Sequence, residues 1–363
     1  MVVLQQVLES VLLPDAMRRL LIPFLCVLLC GALYAQKRKG KKPEEEPRPQ
    51  VLEVLPEPPE AVTADAGRLS FQVSPLSNNG LLSQQVRDAL KALFKSSHGG
   101  TIVKIRAFVS GSGDLRRIKD IVAEEFTDHK LPLPAVTTLQ VGALQLVGSQ
   151  VVIEATTSEK KTVNPSGLAF ATGSDPKEPI AHLQTSLGHA GVKPADVLRV
   201  TCFLSSLDDA KTAHSAVSSA FPAAAFNAVQ TQRLGLEPQQ QCDAVARLSS
   251  APAGGLAIEN GLALVNSPKL VITATQLIFR DQDSDFRLAF QRLGKSLAPV
   301  GAGMKDVFWA ESYALTKPNA TRIESVQKEF LNGSHPPAGM TVQIEGLPST
   351  DSTAAVELMA LGK

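Results

Sequence analysis

Two hydrophobic periods alternate along the chain, in the same order three times. Arg68–Ser74 alternates apolar and polar residues, as a half-buried strand does. Leu82, Val86, Leu90 and Leu93 are spaced for one face of a helix, which Gly99-Gly100 stops. Ile102–Val109 reads as a second strand, and Asp114 as the cap of a second helix through Phe126. A Pro-Ala step at Pro134-Ala135 then opens an alternating strand, and Val151–Ala155 closes the unit.

The second copy follows the same order. Gly167–Gly173 is strand, Ile180–His189 helix and Val197–Leu204 strand, with Asp208 and Asp209 capping a helix to Ala220. Pro222-Ala223 opens its alternating strand, and Cys242–Ala246 closes it. The third copy begins with extra strand material at Leu262–Val265 and Leu270–Gln276. Helix Phe286–Leu297, strand Val307–Leu315 and a helix capped by Asn319 come next. Pro337-Ala338 and Val356–Ala360 end the copy. Phe108, Phe203 and Tyr313 hold matching strand positions, each six residues before Asp114, Asp209 or Asn319.

Self-similarity at a domain-sized interval sets the fold. The pattern predicts three α/β units, each an α+β sandwich, over 67–161, 162–250 and 251–363. Helices cover one face of each sheet. The other face also carries apolar residues and must be covered, so the three units are expected to cover one another.

The segment ahead of the units has a different character. Arg18-Arg19 precedes sixteen mostly apolar residues, Leu20–Ala35, ending in Ala32-Leu33-Tyr34-Ala35. This describes a secretory signal peptide cut after Ala35, with Met17 as a natural start and residues 1–16 as an upstream extension. The localisation expected is periplasmic or secreted. The alternative is a membrane anchor, although the run is short of the ~20 residues that a span needs. Lys37, Arg38, Lys39, Lys41 and Lys42 follow. They form either a solvated tail or a weak contact with an anionic membrane surface. Residues 36–66 are rich in proline and charge and are expected to be a disordered linker.

Composition narrows the functions. Hydrophobic residues make up 44% of the chain, enough for a real core. Net charge is +1 and aromatics are 5%, which argues against a nucleic-acid surface. Cys202 and Cys242 fall inside strands and are expected to be small buried apolar residues, with a disulfide open to them in an oxidising compartment. No cysteine or histidine spacing suits a metal. His182 and His189 sit seven residues apart on one helix, about 10 Å along its axis, and are read as surface residues. Asn319-Ala320-Thr321 and Asn332-Gly333-Ser334 match a glycosylation pattern, as short motifs do by chance.

The repeated unit resembles the RidA family of reactive intermediate deaminases, also described as endoribonuclease L-PSP-like. The resemblance rests on the Pro-Ala strands and on Leu168–Ala171 running into Thr172-Gly173-Ser174. It rests further on Asp196–Leu204, Ile102–Ile105, Val151–Ala155, Thr273-Ala274-Thr275-Gln276 and Gly346-Leu347-Pro348. It implies three chorismate-mutase-like domains forming an intramolecular pseudo-trimer, monomeric in solution, with small-molecule clefts between units. Family deaminases hydrolyse enamines and imines to keto acids and ammonia, with no metal or organic cofactor. An arginine after the Pro-Ala step holds the substrate carboxylate through its planar fork.

The chain departs from the family there. The matching positions read Val136, Ala224 and Gly339, and the nearby family cysteine position reads Thr138, Phe226 and Thr341. The family's carboxylate position falls at Val152, Gln241 and Ala355, and its strand-end glycine survives only as Gly173. Other cleft candidates are Ser174 and Gln276. Glu154, Asp243 and Glu357 recur once per unit and are read as structural or interface residues, while Arg106 and Arg199 are read as solvent-facing. The expectation is a divergent, non-catalytic small-molecule-binding or scaffolding protein on this fold. The alternative is a working enamine/imine deaminase.

Overall fold

The computed structural model describes residues 54–363 apart from 112, 174 and 233–238. The expected signal peptide, the basic run after it and Ser174 lie outside the described residues. Among the described residues no helix is long and apolar enough to cross a membrane.

Among the described residues, strand β1 (Ala61–Ala64) comes first, where the proline-rich composition predicts only linker. The first unit continues with β2 (Leu69–Val73), α1 (Leu82–Ser96), β3 (Thr101–Ser110), α2 (Arg116–Asp128), β4 (Ala135–Val141), β5 (Ala143–Leu144) and β6 (Val151–Ser158). The second holds β7 (Leu168–Gly173), α3 (Pro179–His189), β8 (Val197–Leu204), α4 (Ala210–Ala220), β9 (Ala225–Gln230) and β10 (Gln240–Arg247). The remainder holds β11 (Leu256–Glu259), β12 (Leu262–Val265), β13 (Leu270–Thr273), β14 (Gln276–Phe279), α5 (Asp283–Leu297), β15 (Val307–Ala314), α6 (Lys317–Phe330), β16 (Ala338–Gln343) and β17 (Ser352–Leu361).

One strand order recurs in three sheets. It is β2-β6-β3-β4 in the first and β7-β10-β8-β9 in the second. In the third, β13 and β14 both pair with β17, followed by β15 and β16. In each, the central strand runs parallel to the Pro-Ala strand and antiparallel to the closing strand. A parallel pair needs a crossover, and α2, α4 and α6 supply it.

The sheets also exchange strands across the borders drawn from repetition. β1 pairs with β13, so a piece of the expected linker belongs to the third sheet. β12 pairs with β7, so the extra strand material of the third copy extends the second sheet. β5 of the first unit pairs with β9 of the second. Hydrophobic alternation marks a strand but not its partner, which is why the borders at 66 and 251 miss these exchanges.

Period-two alternation divides each sheet into two faces. Ile105, Ala107 and Val109 pack under α1 and α2, while Phe108 enters a cluster shared by all three units. That cluster joins Phe108 and Leu139 to Phe203 and Val229 and to Val342 and Tyr313. A second shared cluster joins Phe71, Phe170, Phe308 and Trp309. Fully burying one such side chain contributes roughly 1.5–3 kcal/mol, so the inward faces hold the units together.

Two local expectations need correction. Asn319 does not cap α6. Thr316 does, its hydroxyl accepting from Asn319 N at 3.4 Å, and Asn319 is buried inside the helix. Asp114 stands two residues ahead of α2 and accepts from Arg116 N at 3.0 Å. The cysteines are indeed fully buried but are bonded to one another. Cys202 and Cys242 face each other directly across β8 and β10, with Cα atoms 4.2 Å apart, within covalent reach.

Candidate functional site

The Pro-Ala strands carry the positions where the resemblance places a substrate-binding arginine. Register fixes their equivalence: Ile105 pairs with Val136, Val200 with Phe226, and Ala310 with Gly339. In the second unit the equivalent of Val136 is therefore Phe226, two residues beyond Ala224. The cysteine position moves likewise, from Phe226 to Ala228. Pro222 and Ala223 form a turn before β9, and this turn absorbs the two residues.

These positions have three different fates. Val136 is fully buried under the helices of the first unit. Phe226 is half-buried in a cleft. Gly339 has φ +143°, and a Cβ there would lie 1.8 Å from Ala310 O. That backbone admits no side chain, so an arginine is excluded by space as well as by sequence.

The clefts between units are unequal. The one between the first and second units has a volume near 390 Å³. The first unit gives it Val73, Ser74, Leu76, Gln145 and Val152. The second unit gives it His214, Pro222, Ala224, Phe226 and Asn227. The family's arginine position (Phe226) and carboxylate position (Val152) thus meet across two units, and both are apolar. His214 sits edge-on to Phe226, ring centres 5.3 Å apart, and is the only titratable residue among the described residues that line the cleft. The cleft between the second and third units is smaller, near 130 Å³, and rich in amides and hydroxyls. Gln241, Gln343, Ser205 and Thr341 line it beside Glu324. At the junction of the third and first units, Thr275 N donates to Val136 O at 3.5 Å and Thr275 Oγ1 to Thr137 Oγ1 at 2.6 Å.

The other candidates fall as follows. Thr138 is buried, and its hydroxyl has no hydrogen-bond partner among the described residues. Gly173 ends β7 opposite Cys242, where a Cβ would meet Pro179 O at 2.4 Å, so the start of α3 requires the glycine. Gln276 is half-buried and its amide donates to Leu277 O. His189 is exposed and His182 half-buried. Among the described residues no group of side chains could hold a metal ion.

The sequence missed where the buried charges meet. Arg106 and Arg199 are not solvent-facing: they are 4% and 8% exposed. Arg106 lies at an inward position of β3 and reaches all three units, at 2.7 Å from Glu154 Oε2, 3.2 Å from Asp243 Oδ2 and 2.5 Å from Glu311 Oε2. Arg199 binds Asp243 at 2.9 Å, and Lys104 binds Glu357 at 2.5 Å. Asn227, on the floor of the larger cleft, donates to Glu154 Oε1 at 2.7 Å.

Burial penalises these charges, and the partners decide the outcome. Burial opposes the Arg106 charge, but Glu154, Glu311 and Asp243 outweigh it and hold the guanidinium firmly protonated. Burial likewise opposes ionisation of Glu154, yet Arg106 and Arg199 keep it below the usual carboxylate range. Burial wins at Lys104, whose ammonium is shifted down despite Glu357. The signal for this network was present. A lysine and an arginine stand at inward strand positions, and an acid recurs in each closing strand.

Single units of the chain are similar to solved structures. A Mycobacterium tuberculosis member of the YjgF/YER057c/UK114 family is 22% identical over 25% of this chain and 78% of its own, with a TM-score of 0.24. E. coli TdcF with bound serine is 20% identical over 26% of this chain and 81% of its own, at 0.24. RidA from a Psychrobacter species is 15% identical over 30% of this chain and 85% of its own, at 0.24. No protein-family model matches the chain, and no curated protein does.

Proposed function

We propose that this chain is a divergent, non-catalytic small-molecule-binding protein on a RidA-like scaffold. It is a monomeric pseudo-trimer whose working site is the cleft between the first and second units. The carrying observation is Phe226, which occupies the register position of the family's arginine and shares the cleft with Val152. Among the described residues lining the cleft, a carboxylate would find no guanidinium and an attacking water no buried acid or base. The cleft suits a neutral, flat, partly apolar ligand that stacks on Phe226 and takes hydrogen bonds from Gln145, Ser74 or Asn227. The disulfide supports a location in an oxidising compartment, periplasmic or secreted.

The test has two arms. Thermal stability is followed against a panel of neutral heteroaromatic compounds, and ammonia release is followed from freshly generated 2-aminoacrylate. The reading expects stabilisation by at least one compound, lost in Phe226→Arg, with ammonia at the buffer rate. Ammonia release above buffer that depends on the cleft overturns it in favour of the deaminase.

A further inference from the structure

The inward faces of the three units carry different charges at equivalent positions. Register makes Arg106, Thr201 and Glu311 equivalent, since each stands opposite its own unit's acid Glu154, Asp243 or Glu357. Lys104, Arg199 and Trp309 are equivalent in turn. A ring of three first units would bury Lys104 and Arg106 from each, two cations per unit against one carboxylate. A ring of three third units would bury Glu311 and Glu357 from each, with no cation at the matching positions. Either places several uncompensated charges out of water, at a cost of several kcal/mol for each.

The unlike set comes close to balance. Lys104, Arg106 and Arg199 stand against Glu154, Asp243, Glu311 and Glu357, leaving one negative charge in excess. Tyr313 Oη lies 2.7 Å from Glu311 Oε2 and 2.7 Å from Glu357 Oε1. A phenol has one proton and can donate to only one of them, so the other contact calls for a proton on a carboxyl. Arg106, Lys104, Asp243, Glu357, Tyr313 and the indole of Trp309 are the groups that act on Glu311.

We infer that this face is a recognition surface for unlike units of one chain, neutralised by a single proton held on the Glu311–Glu357 pair, and that at the first and third units it excludes the like unit of a second copy, while the second unit, with Arg199 against Asp243, is balanced by itself. The side chains assign the proton to Glu311. Burial, Asp243 and Glu357 push it up to about 7 against the pull of Arg106. Burial also works against the Glu357 charge, but Lys104 and the contact with Glu311 hold it well below the usual carboxylate range.

The experiment uses the whole chain and reads thermal midpoint and molar mass in solution from pH 5 to 8. Wild type is expected to be monomeric, with a midpoint that falls as pH rises toward 8. Glu311→Gln mimics the protonated acid and should stay monomeric with that fall abolished. Glu311→Arg gives the third unit the residue of the first. It should lower the midpoint or yield larger species, and Arg106→Glu/Glu311→Arg, which keeps the same set of charges, should recover part of the loss. A wild-type midpoint that does not change over this range, or a Glu311→Arg protein as stable and monomeric as wild type, overturns the inference. So does a double variant no better than the sum of its singles.

Discussion

Lys104 Nζ in the first unit lies 2.5 Å from Glu357 Oε2 in the third, although 253 residues separate them along the chain. Both side chains are under a tenth exposed. Lys104 also donates to Thr137 Oγ1 and to Thr273 O, each at 2.7 Å, so its three protons are all taken. Breaking one partner of such a pair leaves the other charge buried and unpaired, which costs about 3–5 kcal/mol. Lys104→Met and Glu357→Gln should each lose about that much in urea denaturation. The double variant should lose clearly less than the two losses together, because no orphan charge remains. Additive losses would show that the two residues do not sense each other.

Stability should depend on pH through the same cluster. Glu311 has a folded value near 7 against an ordinary 4.5, so between those limits the folded chain holds one proton more than the unfolded chain. Stability then falls as pH rises through that window, by up to about 1.4 kcal/mol per pH unit and about 3 kcal/mol in all. Glu357 works in the opposite direction. Its folded value is depressed, so its contribution is present above the ordinary carboxylate range and is lost on acidification. The two contributions meet in an optimum near pH 5. Urea midpoints measured from pH 4 to 8 should show this maximum, and a plateau from pH 5 to 8 would contradict it.

The disulfide should make the second unit sensitive to reductant. Cys202 and Cys242 enclose a loop of 40 residues, which on chain-entropy grounds constrains the unfolded state by about 4 kcal/mol. Both sulfurs are buried in the core between the second sheet and its helices, so the thiols leave no large void when the bond is cut. Cys202→Ala/Cys242→Ala should therefore fold, with a stability loss of about 2–4 kcal/mol. Dithiothreitol should lower the wild-type melting point and leave that of the double variant unchanged. Equal melting points with and without reductant would show that the bond contributes nothing.

The repeated order of strand, helix, strand, helix and closing strands was legible in the sequence, because each element carries its own period. Leu82, Val86, Leu90 and Leu93 mark α1 without any help from the rest of the chain. What the sequence could not show depends on partners distant along the chain. The apolar run Leu262–Val265 fits any buried strand, and only the fold pairs it with β7. Arg106 reads as a polar residue on a strand that could face water, until the other two sheets close over it. The Pro-Ala step misplaced the second unit's site by two residues, because a turn at Pro222 stands where the first unit already enters its strand. Composition and spacing see neither of these.

Gly339 provides the sharpest local test. It sits on β16 at φ +143°, beside Ala310 of β15, and a Cβ would lie 1.8 Å from Ala310 O and 2.7 Å from Ala310 C. The obstacle is backbone of the central strand, which cannot move aside as a flexible side chain can. Gly339→Ala must therefore push β16 from β15 and break parallel pairing around Ala310 and Glu311, close to the buried ion pairs. A strained backbone costs of order 1–3 kcal/mol, and the displaced pairing adds to it. A loss of about 3 kcal/mol or more is expected in urea denaturation. Ala338→Gly, one residue earlier, serves as the control. It removes a methyl group without adding an atom and should cost about 1 kcal/mol. If Gly339→Ala costs no more than Ala338→Gly, β16 has room for a side chain and the exclusion of arginine from this position fails.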